Sequence, residues 1–143
     1  MAITSAICTS FKVEILKAVH NFTASTGNTF RLALYTSSAT LGASTTAYTT
    51  SDEVTGTGYT AKGNALTSVK RVADGTTAVC DFADTSFTSA SFTANGCLIY
   101  NDTATGDPAV CAVAFGGDKT VSSGTFTIQF PTAAATTAIV RIA

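Results

Sequence analysis

The segment from Ser51 to Asn64 contains three glycines, a lysine and a tyrosine, the residue types that a phosphate-binding loop uses. A P-loop requires Gly-x-x-x-x-Gly-Lys-Ser/Thr, so that the lysine reaches a phosphate held by the loop N–H groups. Gly58 and Gly63 have that spacing, but Asn64 follows where lysine is needed, and Lys62 stands two positions early, before the second glycine. A dinucleotide-binding loop must open a helix, and no helical pattern follows these glycines. The sequence therefore indicates a glycine-rich turn that leads into an edge strand.

Acid–base and nucleophilic catalysis find little support in the sequence. The one histidine, His20, lies on a predicted helix away from its apolar side, so we expect it in solvent or at a subunit contact. Asp81 and Asp84 are close enough in sequence to form a carboxylate pair of the kind glycosidases use. Most other carboxylates fall in predicted turns, where Asp hydrogen-bonds its own backbone. We therefore predict no catalytic residues and a protein that is not an enzyme.

The four cysteines, Cys8, Cys80, Cys97 and Cys111, are widely spaced and form no Cys-x-x-Cys motif. A zinc site would need ligands brought together from distant strands. The expectation is that they are small buried hydrophobes, with no metal and no other cofactor. The sequence leaves open whether they meet in the fold.

Composition narrows the class of protein. The chain has 143 residues, which suits a single domain spanning residues 1–143, and only 12% are charged, against about 25% in typical proteins. Its lysines and arginines do not form a basic stripe, so no nucleic-acid partner is predicted. No apolar run is long enough for a membrane span, and the first ten residues do not resemble a signal peptide, so we expect a protein made in a cytoplasm. A low surface charge also favours close neighbours.

The periodicity of apolar residues predicts an all-β fold with one N-terminal α-helix. Phe11, Ile15 and Phe22 fall on one helical face, and the helix is predicted over residues 10–22. The rest of the chain alternates in seven or eight short segments, as in Phe30 and Leu32. Turn signals separate the segments at Asp74-Gly75, Asn95-Gly96, Gly106-Asp107-Pro108, Gly116-Gly117-Asp118 and Ser123-Gly124. The pattern indicates an antiparallel β-sandwich, jelly-roll-like in its strand spacing.

Residues 37–64 differ from the rest because they are long, polar and rich in Thr, Ser and Gly. Loops of this length in a compact domain are usually functional, and a short edge strand is predicted near residues 46–49. Within this segment, Asp52, Glu53 and Tyr59 are the predicted contacts with another subunit or with a capsid. Their polarity, expected exposure and, for Tyr59, amphipathic ring are the reasons.

Two stretches resemble small structural proteins of tailed bacteriophages. They are "FRLALYTSSATLGASTTAYTTSDEVTGTGYTAKGNALT" and "FTANGCLIYND…AVCAVAFGGDKTVSSGTFTIQFPTAAATTAIVRIA", and the resemblance covers most of the chain from Phe30 onward. Some proteins of this kind are capsid decoration, or cement, proteins. The resemblance implies a virion protein that is made in the host cytoplasm and then located on the capsid surface.

Under this hypothesis the chain forms a homotrimer, binds the major capsid protein and stabilises the head without catalysis. The alternative that the sequence leaves open is a tail, baseplate or fibre protein, including one that contacts a host receptor. A small enzyme or carbohydrate-binding module is a third hypothesis. Copy number and location in the virion distinguish the first two, and a specific ligand or turnover would identify the third.

Overall fold

The computed structural model describes residues 2–143, and the backbone alone for Val69. Over this range the chain forms one helix and eight strands, which confirms the all-β fold with an N-terminal helix and antiparallel sheets. The helix α1 is Thr9–Leu16. The strands are β1 Ala6–Ile7, β2 Phe30–Tyr35, β3 Asn64–Ala65, β4 Ser68–Asp74, β5 Thr77–Phe82, β6 Thr85–Asn101, β7 Ala109–Ile128 and β8 Val140–Ile142.

The strands form two sheets that share one hydrophobic core. The larger sheet has the order β1-β7-β6-β2-β3, and the smaller has the order β4-β5-β8. Phe30 of β2 lies 6.0 Å from Phe82 of β5, measured between ring centroids, and Val140 of β8 belongs to the same buried cluster. The alternation of large apolar residues in β2 and β5 therefore places both strands against the same core.

Strands β6 and β7 form a long hairpin ribbon of 17 and 20 residues. The predicted reversals at Gly116-Gly117-Asp118 and Ser123-Gly124 are wrong, because both lie inside β7 as irregularities in its pairing with β6. Asn95, also in a predicted turn, lies within β6 and donates from its side chain to Asp118. Glycine and serine here supply the backbone freedom for bulges instead of ending the strand. The predicted turns at 74–75 and 106–108 do reverse the chain.

The bulges make β7 curl. The rings of Phe115 and Phe126 lie 6.2 Å apart, although eleven residues of extended chain span about 36 Å. The distal end of the ribbon therefore folds back over its own inner face. Beyond Ala112, the outer edge of β7 pairs with no other strand among residues 2–143.

Helix α1 ends earlier than predicted, at Leu16 and not near residue 22. The N–H of Val19 bonds to the carbonyl of Glu14, and the N–H of Ala18 bonds to that of Ile15. This pair of bonds is a Schellman motif, with Ala18 in the left-handed conformation at φ 57°. Helical periodicity carries no signal for such an ending when alanine occupies the usual glycine position. At eight residues, α1 is too short to cross a membrane, and no longer apolar helix occurs in residues 2–143.

Candidate interaction surface

Glu53, one of the three predicted contact residues, is held by interactions within the chain. Its carboxylate accepts hydrogen bonds from the hydroxyls of Tyr48 and Tyr59, each at 2.6 Å, and from the N–H of Lys62 at 2.8 Å. Tyr59 also accepts from the N–H of Leu34 at 2.9 Å. Burial first, and then the bond to Glu53, raises the pKa of Tyr59, so the ring stays a neutral donor. Glu53 and Tyr59 therefore fasten the polar segment to strand β2.

Asp52 is the most exposed of the three predicted contact residues. It stands in a turn at φ 61°, and its carbonyl accepts from the N–H of Thr36 at 2.9 Å. The Asp52 carboxylate is available to contact another molecule. The carboxylate of Glu53 and the hydroxyl of Tyr59, in contrast, already make hydrogen bonds within the chain. A role for all three in contact with another subunit stays a prediction.

A second set of charges fastens the end of the same segment. Lys62 Nζ lies 3.0 Å from Asp102 and 3.3 Å from Asp107, and Arg31 Nε lies 2.9 Å from Asp102. Burial opposes ionisation of Asp102, but hydrogen bonds from Lys62 and Arg31 outweigh it and lower the pKa of that carboxyl. Residues 37–64 are thus a tethered surface layer. The predicted edge strand near residues 46–49 appears as a single antiparallel bridge between Ala47 and Pro108.

His20 is buried, which corrects the expectation of a solvated or subunit-contact position. Its Nε2 lies 3.0 Å from a carboxylate oxygen of Glu14, and its Nδ1 lies 3.2 Å from the side-chain nitrogen of Asn101. The Phe11 ring packs on it with centroids 4.9 Å apart. Because the short helix ends in a reversal, residue 20 turns back onto the core. Both ring nitrogens are occupied, so the geometry gives His20 the role of joining α1 to β6.

The four cysteines are free thiols inside the core. In the β6–β7 ladder Cys97 pairs with Val113 and Cys111 with Ile99, so these two thiols lie diagonally on one face. Burial raises the pKa of Cys97 to about 12, and that of Cys80 to about 12 despite Arg71 nearby. Across residues 2–143 no three His, Cys, Asp or Glu side chains are arranged to hold a metal ion.

A groove between α1 and β8 is an exposed apolar feature of the surface. Two adjoining cavities, of about 210 and 330 Å³, share Phe11, Ile15, Arg141 and Ile142 as walls. Leu16 at the rim is 88% exposed and Ile142 is 52% exposed. Contiguous apolar surface of this kind marks interaction sites more often than isolated exposed residues do. We call it the α1–β8 groove.

Cations line this groove. Lys12 and Arg141 line the larger cavity, and Arg71 and Arg141 line the smaller one. No ion pair within 4.0 Å engages any of these three among the described residues. The groove therefore combines an apolar floor with positive charge that has no internal counterion.

The sequence reasoning did not single out the groove. Its residues come from the two ends of the chain, positions 7–16 and 140–142, together with β4 and β5. Leu16 was the available signal in the sequence. It lies outside the predicted apolar stripe of the helix, so the packing of that stripe does not bury it. No protein-family model, curated protein or solved structure matches this chain.

Proposed function

We propose that the protein is a non-enzymatic structural protein of a tailed-phage virion, a capsid decoration protein that binds the major capsid protein and stabilises the head. The observation that carries the proposal is the α1–β8 groove, with Leu16 and Ile142 exposed beside apolar cavities. Covering these side chains with a partner removes apolar surface from water, which favours association. The resemblance of the chain from Phe30 onward to phage structural proteins supplies the identity of the partner.

A decoration protein acts through surface area and repetition. A standard protein interface buries about 1,600 Å² in total, and in a shell each contact is repeated over every copy. Modest affinity at the groove is therefore sufficient for stable decoration. Self-association, as a homotrimer, is part of the proposal and places several grooves on one particle, so that avidity adds to each contact.

The test uses the purified protein and expanded, undecorated phage capsids. Light scattering gives the mass of the protein, and mixing with capsids gives the stoichiometry of binding and the change in capsid melting temperature. We expect a trimer that saturates the capsids and raises their melting temperature. Leu16→Asp is expected to weaken capsid binding at least about tenfold, because it places a charge at the apolar rim.

Val13→Asp is the matched control, since Val13 is a half-exposed residue of the same helix that does not line the groove. It is expected to bind capsids as the wild type does. A protein that ignores capsids contradicts the decoration role, and mixing with tails and host cells then tests the tail alternative. Equal loss in both variants points to damage to α1 and not to the groove.

A further inference from the structure

The distribution of cations on the surface is uneven. Of the eight lysines and arginines, Arg31 and Lys62 are neutralised by Asp102 and Asp107. Five others make no ion pair within residues 2–143 and lie on α1, at its C-cap, or on β4 and β8. They are Lys12, Lys17, Lys70, Arg71 and Arg141. Although the formal net charge of the chain is −1, three of these five cations, Lys12, Arg71 and Arg141, line the α1–β8 groove.

Two carboxylates near the groove, those of Glu14 and Asp74, have partners elsewhere in the chain. Glu14 of α1 faces His20, and Asp74 at the end of β4 accepts the N–H of Ala135 at 2.7 Å. Neither lines the groove, and no other Asp or Glu does. Lys12, Arg71 and Arg141 thus present charge to whatever occupies it.

We propose that the α1–β8 groove binds a protein segment whose apolar side chains are flanked by carboxylates. This inference rests on the proposed function, and it names the chemistry of the capsid surface that the groove recognises. Apolar side chains fill the cavities beside Phe11 and Ile15, while carboxylates reach Lys12, Arg71 and Arg141. Complementary charge at an interface rim fixes orientation and suppresses wrong partners.

A second copy of the chain is a poorer occupant of the groove if the two copies contact each other through the same face. A two-fold contact would bring Lys12, Arg71 and Arg141 against their own equivalents, and like charges in contact oppose association. An anionic bilayer supplies negative charge, but its surface does not enter a concave groove as side chains do. Charge and shape together favour a protein segment.

The test measures binding of two labelled synthetic peptides by fluorescence anisotropy at low ionic strength. Both have the same centre of leucine, isoleucine and valine; one is flanked by glutamates and the other by lysines. We expect the glutamate peptide to bind the wild-type protein at least about tenfold more tightly, because each rim ion pair contributes a fraction of that factor. Salt should reduce this preference.

Two double variants with the same change in net charge separate the groove from general electrostatics. Lys12→Glu with Arg71→Glu reverses charge inside the groove and is expected to reverse the peptide preference. Lys70→Glu with Lys119→Glu is the control, since neither residue lines the groove and Lys70 points to the opposite face of β4 from Arg71. The control is expected to keep the preference for glutamate.

Equal affinity for the two peptides, no binding of either, or an unchanged preference after charge reversal in the groove would overturn the inference. Stronger binding to phosphatidylserine vesicles than to the glutamate peptide would assign the groove to a membrane instead. Dimers of the wild-type protein that Leu16→Asp dissociates would assign the groove to a second copy of the chain. Peptide binding without capsid binding leaves this inference standing and removes the decoration role. If the variant with reversed charge in the groove still binds capsids, the decoration role stands and this inference is removed.

Discussion

At the scale of single residues, Glu53 shows how a polar side chain can stabilise the segment that packs against the core. Three donors from different positions in the segment converge on one carboxylate, two of them at 2.6 Å. Hydrogen bonds to a charged group contribute more than neutral ones, and losing the acceptor leaves the donors unpaired. The contribution of Glu53 to stability can therefore be measured directly.

We expect Glu53→Gln to lower the free energy of unfolding by about 1–2 kcal/mol and Glu53→Ala to lower it by about 3 kcal/mol. Urea denaturation followed by circular dichroism provides the measurement. Asp52→Asn, at the exposed neighbouring position, should change stability by less than about 0.5 kcal/mol. A Glu53→Ala variant as stable as the wild type would show that these hydrogen bonds contribute nothing net.

Gly63 is a second residue of the segment from Ser51 whose role is structural. Its φ is +71°, and a Cβ there would overlap the carbonyl oxygen of Leu32. The glycine is needed for a close backbone approach and for a left-handed conformation, and both needs are structural.

Gly63→Ala is expected to cost more than about 3 kcal/mol, because backbone atoms must move to admit the methyl group. Gly106→Ala is the matched control, since Gly106 has φ +84° and open space around it. It should cost only about 1 kcal/mol, the strain of the left-handed region. Similar losses at both positions, measured by thermal denaturation, would contradict the close approach.

The order of Gly58, Lys62 and Gly63 argues against a nucleotide site at the level of sequence, because that chemistry depends on local spacing. The sequence could not predict that Glu53 and Tyr59 face each other. That contact depends on how residues 37–64 lie across β2, which is set by distant pairing such as Tyr35 with Glu53. Local periodicity contains no information about such pairing.

At the scale of elements, the short helix and the long ribbon depart from expectation for related reasons. Apolar spacing predicts where an element exists, but its end is set by backbone geometry that several residue types can adopt. Ala18 ends α1 in a conformation that favours glycine, while Gly116 and Gly124 stay inside β7. The helical or extended character of most segments was predictable, and the boundaries of the elements were not.

Replacing Ala18 with glycine should therefore stabilise the protein by about 0.5–1 kcal/mol, since the strain of a left-handed alanine exceeds the entropy that glycine loses. The midpoint of urea unfolding is the measurement. Ala61→Gly, at an exposed turn residue outside the left-handed region, serves as the control and should be slightly destabilising. A lower midpoint for Ala18→Gly would argue against the Schellman ending.

At the scale of the whole molecule, acid should weaken the fold through Asp102. Its pKa is lower in the folded protein than the ordinary value of 3.8, so folding favours the ionised form. This contribution is present above the unfolded pKa and is lost as the pH falls through the folded pKa.

We expect Asp102→Asn to be less stable than the wild type near neutral pH and to lose less stability between about pH 5 and pH 2. Lys62→Met, which removes one of the two cations on Asp102, should act in the same direction with a smaller effect. Denaturation midpoints across this range provide the test. A variant whose stability falls with acid as steeply as that of the wild type contradicts the assignment.

The core thiols should be chemically silent in the folded protein. All four are buried, and burial raises the pKa of Cys8 to about 11, which leaves little thiolate at pH 8. We expect no reaction with Ellman's reagent under native conditions and four equivalents in urea. Rapid labelling of the native protein would show that the core opens more readily than its packing indicates.

The curl of β7 has a consequence for crowding. A free strand edge invites polymerisation when it is flat, because each added chain presents the same edge to the next. In β7 the bulges at 115–118 and 122–123 turn the hydrogen-bonding direction within a few residues, so a neighbouring strand can pair with it only briefly before the groups diverge. The free edge of β7 is therefore a poor template for fibre growth, even where copies of this chain lie close together.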